Sequence, residues 1–101
     1  MTVKYKNFEW DDKKNELNKI RHDISFEEAS TVFDDDYAVK IFDEEHSEDE
    51  ERFTLIGIGG RFMELAVCHC YRGKNEDIVR IISARKATKT EIKTYWEGRK
   101  V

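Results

Sequence analysis

The period of the apolar positions changes several times along the chain, and each change marks an element. Val3-Lys4-Tyr5-Lys6 alternates, which predicts a short first strand. Leu17 and Ile20 then supply the apolar contacts of a helix over about residues 12–22, with Asp11 or Asp12 as its N-cap. Arg21 and His22 fall in its last turn, where cations suit the helix dipole, and Asp23 follows as a left-handed cap residue. Ser25 and Glu28 have capping-box spacing, and Phe26, Ala29, Val32 and Phe33 follow at helical intervals. Asp34-Asp35-Asp36 closes that second helix.

Beyond it the period falls to two. Residues 38–42 and 53–58 read as strands, Gly59-Gly60 as a tight hairpin turn and residues 62–71 as the return strand. Residues 72–77 form a loop containing Gly73, and residues 78–84 the last strand. Thr88 and Glu91 form another capping box, opening a helix to about Glu97 with Ile92, Tyr95 and Trp96 as its apolar stripe. This order predicts an α+β fold: an antiparallel sheet of about four to five strands packed with three helices that cover one face, in one domain over residues 1–101.

Composition narrows the class. Apolar residues make up 39% and aromatic residues 12%, which argues against disorder, while charged residues at 40% make a dense polar surface. No apolar run is long enough to cross a membrane, and the first residues lack the apolar core of a signal peptide, so a cytoplasmic chain is expected. Cys68 and Cys70 lie two apart on a predicted strand, on one face, which suits a disulfide poorly. Partners at metal-site spacing are absent around them, and two small buried thiols in a reducing compartment is the simpler reading.

Charge is unevenly divided. Residues 1–51 carry 7 Lys and Arg against 17 Asp and Glu, whereas residues 52–101 carry 11 against 5. Seven of the nine residues from Asp43 to Glu51 are acidic, and this stretch reads as a solvated loop. The basic half suits polyanions or acidic partners; plain surface solubility is the alternative. Its densest signal is the junction from Val79 to Glu91. There a β-branched strand runs into the Thr88 cap, and Arg80, Ser83, Arg85 and Lys86 lie beside a helix N-terminus, a suitable place for a phosphate.

Phe8-Glu9-Trp10-Asp11, then Arg21-His22 and Ile24-Ser25-Phe26-Glu27-Glu28-Ala29, resemble the N-terminal signature of BrnT-type toxins. Val32-Phe33-Asp34, Asp43-Glu44-Glu45-His46-Ser47, Glu50-Glu51-Arg52, His69, Arg72, Arg80-Ile81-Ile82-Ser83-Ala84-Arg85 and Ala87 continue it in order over nearly the whole chain. Two positions depart from the pattern: Asp23 stands where the family usually has Gly, and Asp35-Asp36 where it often has Asp-Pro. The resemblance implies a type II toxin with a RelE-like fold that cleaves RNA without a metal or other cofactor and inhibits translation. It also implies a BrnA-like ribbon-helix-helix antitoxin as partner, with operator DNA bound only through the complex. The alternative is a non-catalytic module that partners a DNA-binding regulator.

Metal-independent cleavage needs a base for the ribose 2′-OH, cations at the phosphate and an acid for the leaving oxygen. His69, Arg80 and Arg85 are the candidate catalytic residues, with Arg52, Arg72, Ser83 and Lys86 as substrate contacts. His69 is a natural acid or base by its pKa, although its strand parity matches Met63, Leu65, Val67 and Tyr71, a face that could be the core. Guanidinium binds phosphate bidentately; ion pairs with the acidic loop are the competing reading. Arg80 and Arg85 differ by five, so a regular strand would point them to opposite faces. They share a face only if the strand ends or bulges near Ser83.

Overall fold

The structure is a computed structural model that describes residues 1–99. Six strands form one sheet: β1 (Thr2–Tyr5), β2 (Phe8–Asp11), β3 (Val39–Phe42), β4 (Phe53–Ile58), β5 (Glu64–Arg72) and β6 (Ile78–Lys86). The helices are α1 (Asp12–His22), α2 (Phe26–Ser30), which runs on into a 3₁₀ turn (Thr31–Asp34), and α3 (Lys89–Arg99). The sheet order is β1-β2-β6-β5-β4-β3. All neighbours are antiparallel except β2 and β6, which run parallel at Phe8↔Val79 and Glu9↔Arg80. The fold class is therefore α+β as expected, with one strand more than predicted and one parallel pairing. The additional strand is Phe-Glu-Trp-Asp, whose own alternation is a period-two signal too short to stand out.

The two faces differ. On one, Phe8, Trp10, Leu55, Leu65, Val67, Val79, Ile81 and Ala84 close over Ile24, Phe26, Ala29 and Val32. Gly57 permits the closest approach, since a Cβ there would lie 2.9 Å from Val32 Cγ1 and 3.1 Å from Ala38 Cβ. The 3₁₀ turn thus rests directly on β4. The helices do not all share that face. The register places Ile56, Ala66 and Val39 on the other, and there α3 lies, with Tyr95 fully buried. The Tyr95 hydroxyl donates to Asp35 Oδ2 at 2.6 Å, and Trp96 Nε1 donates to Glu64 Oε2 at 3.0 Å. Asp35 also accepts from the Ile58 and Tyr37 amides. Burial would raise its pKa, but these hydrogen bonds, led by that of Tyr95, outweigh burial and lower it.

The caps form as the spacing requires. Asp11 accepts from Lys14 N, Ser25 from Glu28 N, and Asp23 is left-handed at φ 57°. Thr88 and Glu91 complete a reciprocal box: Glu91 N donates to Thr88 Oγ1 and Thr88 N to Glu91 Oε1. The Ser25 box is half used, because the Glu28 carboxylate turns to Arg61 instead. That contact anchors the hairpin, whose left-handed residue is Phe62 at φ 61° rather than either glycine.

The contacts of α1 are not those expected. Leu17 and Ile20 are exposed, at 47% and 80%, and the helix buries Asn15 and Asn18 instead. Asn15 Oδ1 accepts from Phe26 N, and its amide donates to Glu27. Asn18 accepts from Ala84 N at 3.1 Å and donates to Ala84 O and Ile24 O, both at 2.8 Å. Since β2 pairs with β6 only as far as Arg80, the Asn18 amide does for the rest of that edge what a neighbouring strand would do. Asn18→Ala strands three buried backbone groups, and urea denaturation is expected to show a loss of about 3 kcal/mol.

Candidate active site

The phosphate-binding candidates are arranged by one irregularity in β6. Cys68 pairs with Ser83, but His69 pairs with Ile81, so Ile82 is an extra residue opposite β5. Without it, Arg80, Ile82 and Ala84 would share one face and Ile81, Ser83 and Arg85 the other. With it, Ile81 and Ala84 are both buried in the core, and Arg80, Ser83 and Arg85 all point to the α3 side. The break that the five-residue spacing demanded is present, one residue before Ser83.

Sharing a face is not sharing a phosphate. The β5 partners of Arg80 and Arg85 are Cys70 and Ala66, four residues apart, a separation of about 13 Å along the strand. Each guanidinium also has its own carboxylate. Arg80 Nη1 lies 2.6 Å from Glu9 Oε2, joining the two parallel strands. Arg85 grips Glu91 with two hydrogen bonds of 2.7 and 3.0 Å. That pairing, followed by the Thr88 amide, lowers the Glu91 pKa against the effect of burial, and raises that of Arg85. Arg72 lies 3.1 Å from Glu50 of the acidic loop, the one such pairing among the expected site arginines. Arg52 forms no ion pair among the described residues, and its Nε is buried without a partner. Burial raises the pKa of both Cys68 and Cys70, opposed by Arg52 and Arg72 respectively, and strand parity puts Arg72 on the face of Cys70. Lys86 pairs with Leu65 and stands exposed at the α1 side of the strand end.

His69 is elsewhere. It is fully buried on the α1–α2 face, edge-on to Phe33 and Tyr71 and beside Phe53. Its Nδ1 is 3.0 Å from Val67 O and its Nε2 3.3 Å from the Tyr71 hydroxyl, which also accepts from Lys40. The sheet separates it from Arg80 and Arg85. The parity with Leu65 and Val67 already pointed to this face.

One carboxylate beside these arginines was not anticipated. Glu9 Oε2 is held by Arg80, while Oε1 carries no hydrogen bond among the described residues and the side chain remains 15% exposed. Glu9 is also near enough to Arg72 to contribute to the raised pKa of that arginine, behind the larger effects of Cys70 and Glu50. Reading Phe8–Asp11 as a strand parallel to β6 would have placed it there.

The fold is shared with a ribonuclease toxin. The crystal structure of the Brucella abortus ribonuclease toxin BrnT superposes with a TM-score of 0.60 at 22% identity, covering 79% of this chain and 94% of that one. Residues 10–91 match the family described as the ribonuclease toxin BrnT of type II toxin–antitoxin systems, and the chain belongs to that family. No curated protein matches it. The matched stretch includes Arg52, Arg72, Arg80 and Arg85 but begins one residue after Glu9. A type II toxin acts with an antitoxin, so a partner follows from membership.

The buried histidine makes a pH test of placement. Burial lowers the His69 pKa, Lys40 lowers it further, and the Val67 carbonyl opposes both. The unfolded chain therefore takes up this proton at higher pH than the folded one. Stability from this group is full above about pH 6.5 and is lost as pH falls below it. His69→Phe is expected to remove that loss between about pH 6.5 and 5, as read by urea unfolding at each pH.

Proposed function

We propose that this chain is a metal-independent endoribonuclease that inhibits translation by cutting RNA across the face bearing Arg80. A cognate BrnA-like ribbon-helix-helix antitoxin neutralises it, and operator DNA is reached only through that complex. Family membership supports the class of activity. The observation that carries the site is the bulge at Ile82, which lines Arg80, Ser83 and Arg85 along one face beside Glu9.

Glu9 Oε1 takes the proton from the ribose 2′-OH as O2′ attacks phosphorus, and Arg80 donates to the equatorial oxygens where charge develops. The P–O5′ bond breaks, O5′ takes a proton from water, the resulting hydroxide is neutralised by the proton held on Glu9, and a 2′,3′-cyclic phosphate remains. Arg72 and Arg52 hold the chain on the Cys70 side. Ser83 donates to a phosphate oxygen, Arg85 binds a phosphate further along, and Lys86 adds attraction at the end of the path. His69 is a positioning residue in this scheme. It sits behind Cys68 and Cys70 and fixes β5 through its packing against Phe33 and Tyr71.

Replacing the central groups tests the assignment. Arg80→Ala and Glu9→Gln are each expected to lower kcat about 10²–10³-fold on an RNA oligonucleotide and to relieve growth arrest. Arg85→Ala is expected to act mainly on KM, and His69→Phe to leave the cleavage rate near that of the wild type. Cleavage that persists in both Arg80→Ala and Glu9→Gln removes them from the chemistry. A wild-type protein, free of antitoxin, that neither cuts RNA nor arrests growth leaves the non-catalytic module as the reading.

A further inference from the structure

Past Arg80 the edge of β6 has no neighbouring strand, and α1 stands beside it. Two adjoining clefts that share Arg21 and His22 run along this edge. One, of about 280 Å³, reaches Lys14, Leu17, Ile82 and Ser83. The other, of about 470 Å³, reaches Ile20, Arg85 and Lys86. Their charge differs in kind from that of the opposite strand end. At that far end Arg72 and Arg80 each hold a glutamate, and within the groove Arg85 holds Glu91, whereas Lys14, Arg21 and Lys86 form no ion pair among the described residues. The one carboxylate lining either cleft is Asp23, and it already faces Arg61 at 3.5 Å.

We infer that this groove is a second RNA-binding site, holding the single strand on one side of the phosphate to be cut. The inference rests on the ribonuclease reading, and it extends it from one row of residues to a path. Three features favour RNA as the occupant. The uncompensated cations stand along one groove. The groove is continuous with the proposed catalytic row, since Ser83 lines one cleft and Arg85 the other. Its apolar floor of Leu17 and Ile82 can take a sugar or base edge while the cations hold phosphates. No Phe, Tyr or Trp lines either cleft, and any stacking there falls to His22 and the Arg21 guanidinium, which every base can use, so the affinity is expected to depend little on sequence. Leu17 and Ile20, which the polar anchoring of α1 leaves exposed, gain a use on this reading.

The test compares the wild type with a Lys14→Ala/Arg21→Ala variant, both surface positions, and with the single charge reversal Arg21→Glu. The first probe is a 2′-O-methyl oligonucleotide of about 12 nucleotides, which cannot be cleaved through O2′, titrated by fluorescence anisotropy over a range of salt. The second is a cleavable dinucleotide, too short to enter the groove. The double variant is expected to bind the long probe at least about tenfold more weakly, with the slope of log K against log salt shallower by about 1.4. Its kcat on the dinucleotide should match the wild type, and Arg21→Glu should weaken the long probe alone. Unchanged affinity and slope in both variants overturn the groove while leaving the catalytic row intact. So does loss of antitoxin binding with RNA binding unaltered, which assigns the groove to the protein partner. A wild type that neither binds nor cuts RNA overturns the ribonuclease reading together with the groove.

Discussion

The extra residue at Ile82 is the constraint on which both faces of the sheet depend. The stretch Val79–Arg85 cannot satisfy a strict two-residue period. Its buried members are Val79, Ile81 and Ala84, and its polar members are Arg80, Ser83 and Arg85. A regular strand would expose one set of apolar groups or bury a guanidinium, and burying an unpaired charge costs several kcal/mol. One bulge removes the conflict by shifting the register between His69 and Cys68. The same shift completes the hydrophobic core and aligns the cations on the opposite face, so core and candidate site are consequences of one local event.

That arrangement in turn leaves an edge to be managed. The pairing of β2 with β6 ends after two residues, and the strand beyond it is closed by the side-chain amide of Asn18 rather than by another strand. A side chain can satisfy one residue of an edge without covering the rest, so the groove beside α1 stays open. Polar anchoring also explains why α1 has so little apolar stripe. Its attachment comes from Asn15 and Asn18, whose hydrogen bonds reach Phe26, Ile24 and Ala84, and its leucine and isoleucine are free to face outward.

The division into an acidic first half and a basic second half becomes an internal complement in three dimensions. Glu9 meets Arg80, Glu28 meets Arg61 and Glu50 meets Arg72, each pair joining one half to the other. Such pairs orient guanidinium groups before any ligand arrives, and an incoming phosphate must share or displace a carboxylate. The pairs at Arg80 and Arg85 are not equivalent. Glu91 is committed through both oxygens to Arg85 and to the Thr88 amide, whereas Glu9 is held through one. Of the two carboxylates, only Glu9 therefore keeps an oxygen without a hydrogen bond among the described residues.

Local hydrogen-bonding rules were legible in the chain itself. The caps at Asp11, Ser25 and Thr88, the left-handed Asp23, the strands β4 and β6 and the α+β order all follow from residue type and spacing within a few positions. The sequence also showed that Arg80 and Arg85 could share a face only through a break, because parity is a local property. What it could not decide was long-range. Whether Phe8–Asp11 pairs, and in which direction, depends on Val79 and Arg80 some 70 residues away. The burial of Asn18 depends on Ala84, the enclosure of His69 on Phe33 and Phe53, and the partner of each arginine on strands remote in sequence. Periodicity specifies which residues of one element lie together; which neighbour they meet is set when the sheet closes, and the candidate chemistry was decided at that step.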